Sequence, residues 1–484
     1  MTRSASLQHP VPAVTPPASG PGGLPGPTAR AHRTPSAHLS RRHLLTLAPL
    51  AAALLAGCGS DPAGVALTSD VTREEVALSD ATKLAEAVAA CDVLGAAMLT
   101  DAMAEAQGAN TVASPLSLAL ALALVADGAS DPAAQGYDHA LGASGEERDR
   151  AWSAIQTSVN RNDGDLEDFD PAEPPAQPLV HVANHVVVVD DAEVEQSYLD
   201  TVARWYTALI ERVERGDLSA NLDAWVRQHT AGLIKKSAVV VTDELRLVLQ
   251  NAVLFAARWD SPFEEKHTSA VDFTVSDGST VQVDRMHQEL YAPYAEGEGW
   301  RAVRLAYSGP AAGPEGPPDQ DGLVLDVVLP ETGTGPAELD GGTWAQASAA
   351  LDEVAGGAGS GEAGSAGSPS AGTLVRLGLP KLDLTPPTRD LLPLLDDLGL
   401  ALGPLDLMGK DLQVGQVAQQ TRLIVDEEGT VAAAVTEVGL AATAAPAVSP
   451  VEFLVDRPYV LRLRDLASGV ALFEAVVMDP TVRS

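Results

Sequence analysis

The sequence predicts one large α+β domain built on mostly antiparallel sheets. Helical spacing of apolar residues dominates the stretch from residue 79 to 234, whereas short β-patterned runs dominate from Leu247 to the end. Apolar residues make up 45% of the 484 and charged residues 20%, which is enough for a sizeable core. No internal repeat is visible. Aromatic residues are only 4%, so the core must rely on Leu, Val and Ala. The net charge of −35 argues against nucleic acid or an anionic membrane surface as a partner, because a polyanion repels both.

In chain order, residues 79–107 read as a helix, with Leu84, Val88, Cys91, Leu94, Met98 and Met103 at helical spacing. Asn110–Ala129 opens as a short strand. Ser114 then caps a very apolar helix, and Pro115 sits in its first turn, where its missing N–H costs nothing. Residues 130–178 mix small helices with an acidic, Pro-rich stretch (162–178) expected to be exposed. Val180–Val189 is a largely buried strand. Tyr198–Ile210 and Asn221–Ile234 read as helices, and Leu247–Ala256 as another buried strand. Phe273–Met286, with Ser276-Asp277-Gly278-Ser279 between two alternating runs, reads as a hairpin. Strands are expected at Trp300–Tyr307, Gly322–Leu329, Leu374–Leu384, Arg422–Asp426, Val451–Leu454, Tyr459–Arg464 and Ala471–Met478, and a helix at Leu391–Leu398. Residues 309–321 and 355–372 are low-complexity loops.

The N-terminal 57 residues fall outside this domain. Five of the 31 basic residues and none of the 66 acidic ones lie there, so the remainder carries −40. Arg41-Arg42 precedes a mostly apolar run, Leu44–Ala56, too short to span a bilayer but suited to a signal sequence. The run ends in Leu55-Ala56-Gly57-Cys58, which resembles a bacterial lipobox whose cysteine thiol takes the lipid. An ordinary signal peptide with a chance cysteine is the alternative. The arginine pair points to export in a folded state, although Leu44 stands where Phe is more usual. Residues 58–78 then read as a lipidated cysteine and spacer, and 79–484 as the domain. With Cys58 acylated, Cys91 has no disulfide partner and reads as a buried small hydrophobe. The predicted location is the cell surface, through a lipid anchor, or the extracellular space.

The informative segment is Asp426–Pro450. Between Thr430 and Ala445 it has no proline and one charge, Glu437. At period two, Thr430, Ala432, Ala434, Thr436, Val438, Leu440 and Ala442 share one face, and Val431, Ala433, Val435, Glu437, Gly439 and Ala441 the other. This is a strand able to slot into a sheet with one side buried, its small residues easing entry between neighbours already in place. A disordered Ala-rich loop is the competing reading of composition alone.

The flanking residues resemble the reactive-loop hinge of the serpins: Glu427-Glu428-Gly429-Thr430 followed by Ala432-Ala433-Ala434. Further segments resemble the same family in the same order. They are Asn110–Ser117, Val182-Ala183-Asn184, Leu247–Phe263 with Asn251 and Trp259, Phe273–Gln288, Leu379-Pro380-Lys381-Leu382, Phe453–Tyr459 and Leu472–Thr481. The resemblance covers roughly residues 79–482.

It implies a single serpin domain with about nine helices, three mainly antiparallel sheets and an exposed reactive-centre loop (429–450). It implies a protease inhibitor rather than an enzyme, with no catalytic, metal or cofactor residues of its own. The small, unblocked hinge of Gly429, Thr430, Ala432, Ala433, Ala434 and Thr436 implies inhibition. Val431 departs from the usual Glu but faces outward. Counting seventeen residues from Glu427 places the bait at Thr443 and the scissile bond at Thr443–Ala444, with neighbours Ala442 and Ala445 as alternatives. Small bait residues fit elastase- or subtilisin-like proteases. Ser114, Ser117 and Asn251 match residues under the opening of the central sheet. Gln419 stands where a histidine is usual, and Trp259 matches a large residue at the top of that sheet, with plain core packing as the alternative. The expected state is a monomer. The rival readings are a noninhibitory serpin acting as a surface binding or carrier protein, and an enzyme built around His267 or His287, for which no nucleophile elbow, metal-binding or phosphate-binding motif is present.

Overall fold

Long β-branched and Leu-rich runs bury both faces of two central strands, and the rest of the molecule is arranged around them. The computed structural model describes residues 64–105, 108–166, 169–170, 174–309, 322–357, 372–385, 389–400, 402–430 and 449–482. All of these lie within the unit Gly59–Ser484, while the unit Met1–Cys58 lies outside the described residues, and Cys58 with it.

Among the described residues there are eight α-helices. They are α1 (Leu84–Glu105), α2 (Pro115–Ala126), α3 (Ala133–Leu141), α4 (Gly145–Val159), α5 (Gln196–Trp205), α6 (Leu218–His229), α7 (Gly341–Gly357) and α8 (Leu392–Asp397). The largest sheet has nine strands. Its order is β1 (Val65–Ala66), β4 (Leu209–Val213), β3 (Leu179–Val189), β5 (Leu247–Arg258), β16 (Gly429–Thr430), β15 (Leu423–Val425) and β12 (Leu382–Leu384). In addition β14 (Val417–Gln419) pairs with β5, and β13 (Arg389–Asp390) with β14. A six-stranded sheet runs β2 (Thr111–Ala113), β19 (Ala471–Val477), β18 (Tyr459–Asp465), β10 (Leu323–Pro330), β9 (Trp300–Ala306) and β8 (Tyr294–Gly297). A four-stranded sheet runs β17 (Val451–Leu454), β11 (Thr373–Pro380), β7 (Thr280–Ala292) and β6 (Ser269–Thr274). Among the described residues only β3–β4, β5–β14 and β11–β17 pair in parallel. The predicted α+β class with mainly antiparallel sheets is therefore observed.

The alternation of β3 and β5 decides what covers each face of the large sheet. Val180, Val182, Val186 and Val188 of β3 join Leu247, Leu249, Phe255 and Ala257 of β5 in the main core. Behind them lies α2, buried along its whole length, with Ser114 as its cap and Pro115 at its first position as expected. The outer face carries Val187, Val189 and Val248, which pack against Leu218 and Leu222 of α6. Ala252 packs against Trp225 and Val226 of the same helix.

Several sequence expectations are corrected. The helix read over Tyr198–Ile210 ends at Trp205, because Ile210 and Val213 turn inward from a strand beside β3. The helix read to Ile234 ends at His229, where Ala231 (φ 48°) and Gly232 (φ 75°) reverse the chain. The run Leu374–Leu384 is not one strand: it breaks at Lys381, and its halves enter different sheets. The acidic stretch 162–178 is not simply exposed, since Leu166 and Phe169 pack on Leu179, Leu254 and Ala256, and Pro174 is buried. Sequence reasoning missed α7, although Trp344, Ala347, Ser348 and Leu351 are buried at helical spacing and Asp340 accepts the Thr343 N–H at 2.7 Å. Residues 355–357, read as the start of a low-complexity loop, are the last residues of α7.

Candidate functional site

The hinge is the turn that joins β15 to β16. Asp426 Oδ1 accepts the N–H groups of Glu428 (3.0 Å) and Gly429 (3.2 Å), and the Asp426 N–H donates to Gly429 O at 3.0 Å. Burial raises the Asp426 carboxyl above its ordinary range, although these N–H groups oppose the shift. Every carbonyl of the turn is taken by the segment after β5. Trp259 Nε1–H donates to Asp426 O (2.9 Å), Phe263 N–H to Glu427 O and Trp259 N–H to Glu428 O (both 2.8 Å). Glu427 accepts from Lys381 Nζ (2.5 Å) and Thr268 Oγ1 (2.7 Å). Burial works against ionisation of Glu427, but these two partners outweigh it and hold the carboxyl below its usual range.

Gly429 and Thr430 lie in the sheet itself, paired antiparallel with Arg258 and Ala257 of β5. Gly429 is required there: a Cβ would stand 2.1 Å from the Ala257 carbonyl oxygen. Thr430 is 1% exposed, and its hydroxyl meets the Tyr307 hydroxyl at 2.6 Å. The Tyr307 ring stacks on Trp259 with centroids 4.5 Å apart. Gly429 and Thr430 therefore belong to the sheet and not to an exposed loop beginning at Gly429, because they are small enough to be gripped between β5 and β15. Ala432, Ala433, Ala434, Thr436, Ala442, Thr443, Ala444 and Ala445 lie outside the described residues.

Below the hinge, part of the β5 edge is open among the described residues. β16 occupies Ala257–Arg258 and β14 occupies Leu249–Gln250. Between them, the edge from Asn251 to Ala256 pairs with no strand among the described residues. The predicted cluster lies beneath this seam. Ser117 Oγ donates to Asn251 Oδ1, and Asn251 Nδ2 donates to Asn184 Oδ1 at 2.5 Å. Ser114 N–H donates to Gln419 Oε1 (2.8 Å), and Gln419 Nε2 donates back to Ser114 O (2.9 Å). The cluster therefore ties α2 to β5 on one side of the seam and to β14 on the other. Gln419 fills both of its bonds without carrying charge. Trp259 is core packing and hinge support at once.

The sequence reading missed the partners Lys381, Thr268 and Tyr307. Lys381 stands in the motif Leu379-Pro380-Lys381-Leu382, but no local signal assigns it to Glu427. Cys91 is buried in α1, as read. No group of three or more His, Cys, Asp or Glu side chains among the described residues is arranged to hold a metal ion.

Comparison with known proteins gives one consistent picture. A family model described as serpin (serine protease inhibitor) matches residues 90–480. Among similar curated proteins is Serpin-Z2A from Triticum aestivum, 26% identical over 389 residues, covering 77% of this chain and 90% of that protein. Among solved structures, the native state of the thermophilic serpin tengpin is similar with a TM-score of 0.67 at 21% identity, covering 85% of this chain and 97% of that one. Thyroxine-binding globulin in complex with thyroxine is similar with a TM-score of 0.63 at 19% identity, covering 82% and 99%.

Proposed function

The chain belongs to the serpin (serine protease inhibitor) family, and on that premise we propose that it is an inhibitory serpin that traps serine proteases by inserting its cleaved loop into the nine-stranded sheet. Loop insertion of this kind is an established property of serpins. The observation that carries the proposal for this chain is the open edge of β5 directly below a hinge already seated in the sheet.

The protease serine attacks the Thr443 carbonyl. The Thr443–Ala444 peptide bond breaks, an ester joins Thr443 to the serine, and the Ala444 amine leaves with a proton from the protease's own base. The freed segment, Val431–Thr443, is about 43 Å long as a strand. Continuing the register of Gly429 and Thr430 pairs Val431 with Ala256 and Thr436 with Asn251, which fills the open edge. Val438 and Leu440 then reach Leu249 and Leu247 and displace β14. Thr430 faces the core, so Ala432, Ala434 and Thr436 follow it inward, and all are small enough to enter between placed neighbours.

The small bait residue fits the shallow pocket of elastase-like proteases or the permissive one of subtilisin-like proteases. The protein acts as a monomer, exported by its N-terminal signal and held at the surface through lipid on Cys58. Mixing residues 59–484 with elastase, subtilisin and trypsin tests the proposal. The expected result is a covalent band near the summed mass with elastase or subtilisin, and a released peptide beginning at Ala444. Clean loop cleavage without any adduct would assign a noninhibitory binding role instead, as the likeness to a thyroxine-binding protein allows.

A further inference from the structure

On the outer face of the large sheet, the chain leaving α6 crosses in front of the open seam. Val240 N–H donates to Gln416 Oε1 at 2.8 Å, so this strap reaches from the β5 side to the segment leading into β14. Between Thr230, Ser237 and Val239 of the strap and Gln250, Asn251 and Ala418 of the sheet lies a cavity of about 10 Å³, room for one water. A strand entering beside Asn251–Ala256 must pass beneath this strap.

The end of α6 from which the strap departs is tied down by a hydrogen-bond chain. Asp163, on the segment after α4, meets His181 Nδ1 at 2.7 Å, and His181 Nε2 meets His229 Nδ1 at 2.9 Å. The two rings are within 4° of parallel. His181 projects from the outer face of β3, and His229 is the last residue of α6. With both imidazoles neutral, His229 Nδ1–H donates to His181 Nε2 and His181 Nδ1–H donates to Asp163. The row continues as Trp225 lies 4.5 Å from His229 and 4.9 Å from His185, whose Nε2 meets Glu211 at 2.7 Å.

We propose that Asp163, His181 and His229 form a latch that holds α6 and its strap down over the seam and so sets the rate at which a strand enters the sheet. The inference rests on the insertion reading above. The three are positioning residues: they touch neither the bait nor the protease, and they lie on the side of the seam that the strap must leave. Breaking the latch removes up to two hydrogen bonds that must open before entry, while the inserted product keeps its own ladder intact. The expected effect is on rate, not on whether insertion occurs.

The test uses the purified protein and a synthetic peptide of residues 431–443 as the entering strand, with uptake followed on native gels and by gain of heat resistance. His229→Leu is expected to take up the peptide about tenfold faster than the unmodified protein. Asp163→Ala, at a half-exposed position that tolerates truncation, is expected to be about threefold faster and decides the matter if His229→Leu does not fold. His229→Asn, which restores a donor, is expected to return the rate toward that of the unmodified protein. Variants with lowered thermal midpoints but unchanged uptake rates would show mere structural support and overturn the latch. No uptake by the unmodified protein would overturn the insertion reading itself, and the latch with it.

Discussion

The Thr430–Tyr307 hydroxyl pair offers the sharpest test of the seated hinge. Thr430→Val keeps the shape of the side chain but removes its hydroxyl, which leaves the Tyr307 hydroxyl buried beside Trp259 without its 2.6 Å partner. An orphaned buried hydroxyl costs about 1–3 kcal/mol. Tyr307→Phe orphans Thr430 in the same way and costs a similar amount. The double variant orphans nothing and should lie within about 1 kcal/mol of the unmodified protein. With singles of about 2 kcal/mol each and a double near 1, the coupling energy is about 3 kcal/mol, well above what independent sites show. Urea unfolding of the four proteins at one temperature measures it. A double variant destabilised by the sum of the two singles would refute the seated hinge, because additivity means that the hydroxyls do not meet in solution. Val remains small and apolar enough for the inward face, so trapping should persist in Thr430→Val.

Four further outcomes are expected. Gly429→Ala places a methyl 2.1 Å from the Ala257 oxygen, so the hinge should leave the sheet; native stability falls by about 2 kcal/mol for two lost ladder bonds, and exchange at the Ala257 and Thr430 amides accelerates. Glu427→Lys sets two ammonium groups together at Lys381 and loses the Thr268 bond, and its thermal unfolding should show a loss of about 2 kcal/mol against less for Glu427→Gln. Burial foremost, then the charges of His181 and His185, lower the His229 pKa to about 4, with Asp163 opposing. The unfolded chain thus takes up this proton near pH 6.5 and the folded one only near 4, so the stability this group contributes is intact above 6.5 and lost between 6.5 and 4. His229→Leu should therefore lose about 3 kcal/mol less than the unmodified protein over that interval, and parallel stability–pH curves would count against it. Finally, Thr443→Arg should transfer covalent trapping from elastase to trypsin, read on the same denaturing gel.

Much of the architecture follows from local patterns. Ser114-Pro115 starts a helix because one caps it and the other needs no donor, whatever lies around them. The hairpin over Phe273–Met286 follows from alternation on both sides of a turn whose Gly278 takes φ 83°. The start of the hinge shows in the sequence because small residues suit entry into a formed sheet, and the inward positions Thr430, Ala432 and Ala434 carry no charge and nothing larger than threonine. Chemistry of this kind is carried by residues a few positions apart.

Other features depend on partners far along the chain. Nothing near Lys381 foretells that Glu427 will meet it across 46 residues, or that this lysine divides a continuous apolar run between two sheets. Tyr307 finds Thr430 across 123 residues because β5 carries Trp259 to the top of the sheet and stacks the ring in place. Asp163, His181 and His229 come from a loop, a strand and a helix, and each alone reads as an ordinary polar residue. The open edge of β5 is the clearest case. Leu247–Ala256 announces a buried strand from its composition, but which of its backbone groups lack a neighbour is settled only where β14 and β16 stop. Side-chain pattern determines which face of a strand is buried, whereas hydrogen-bond partners along its edge belong to other strands.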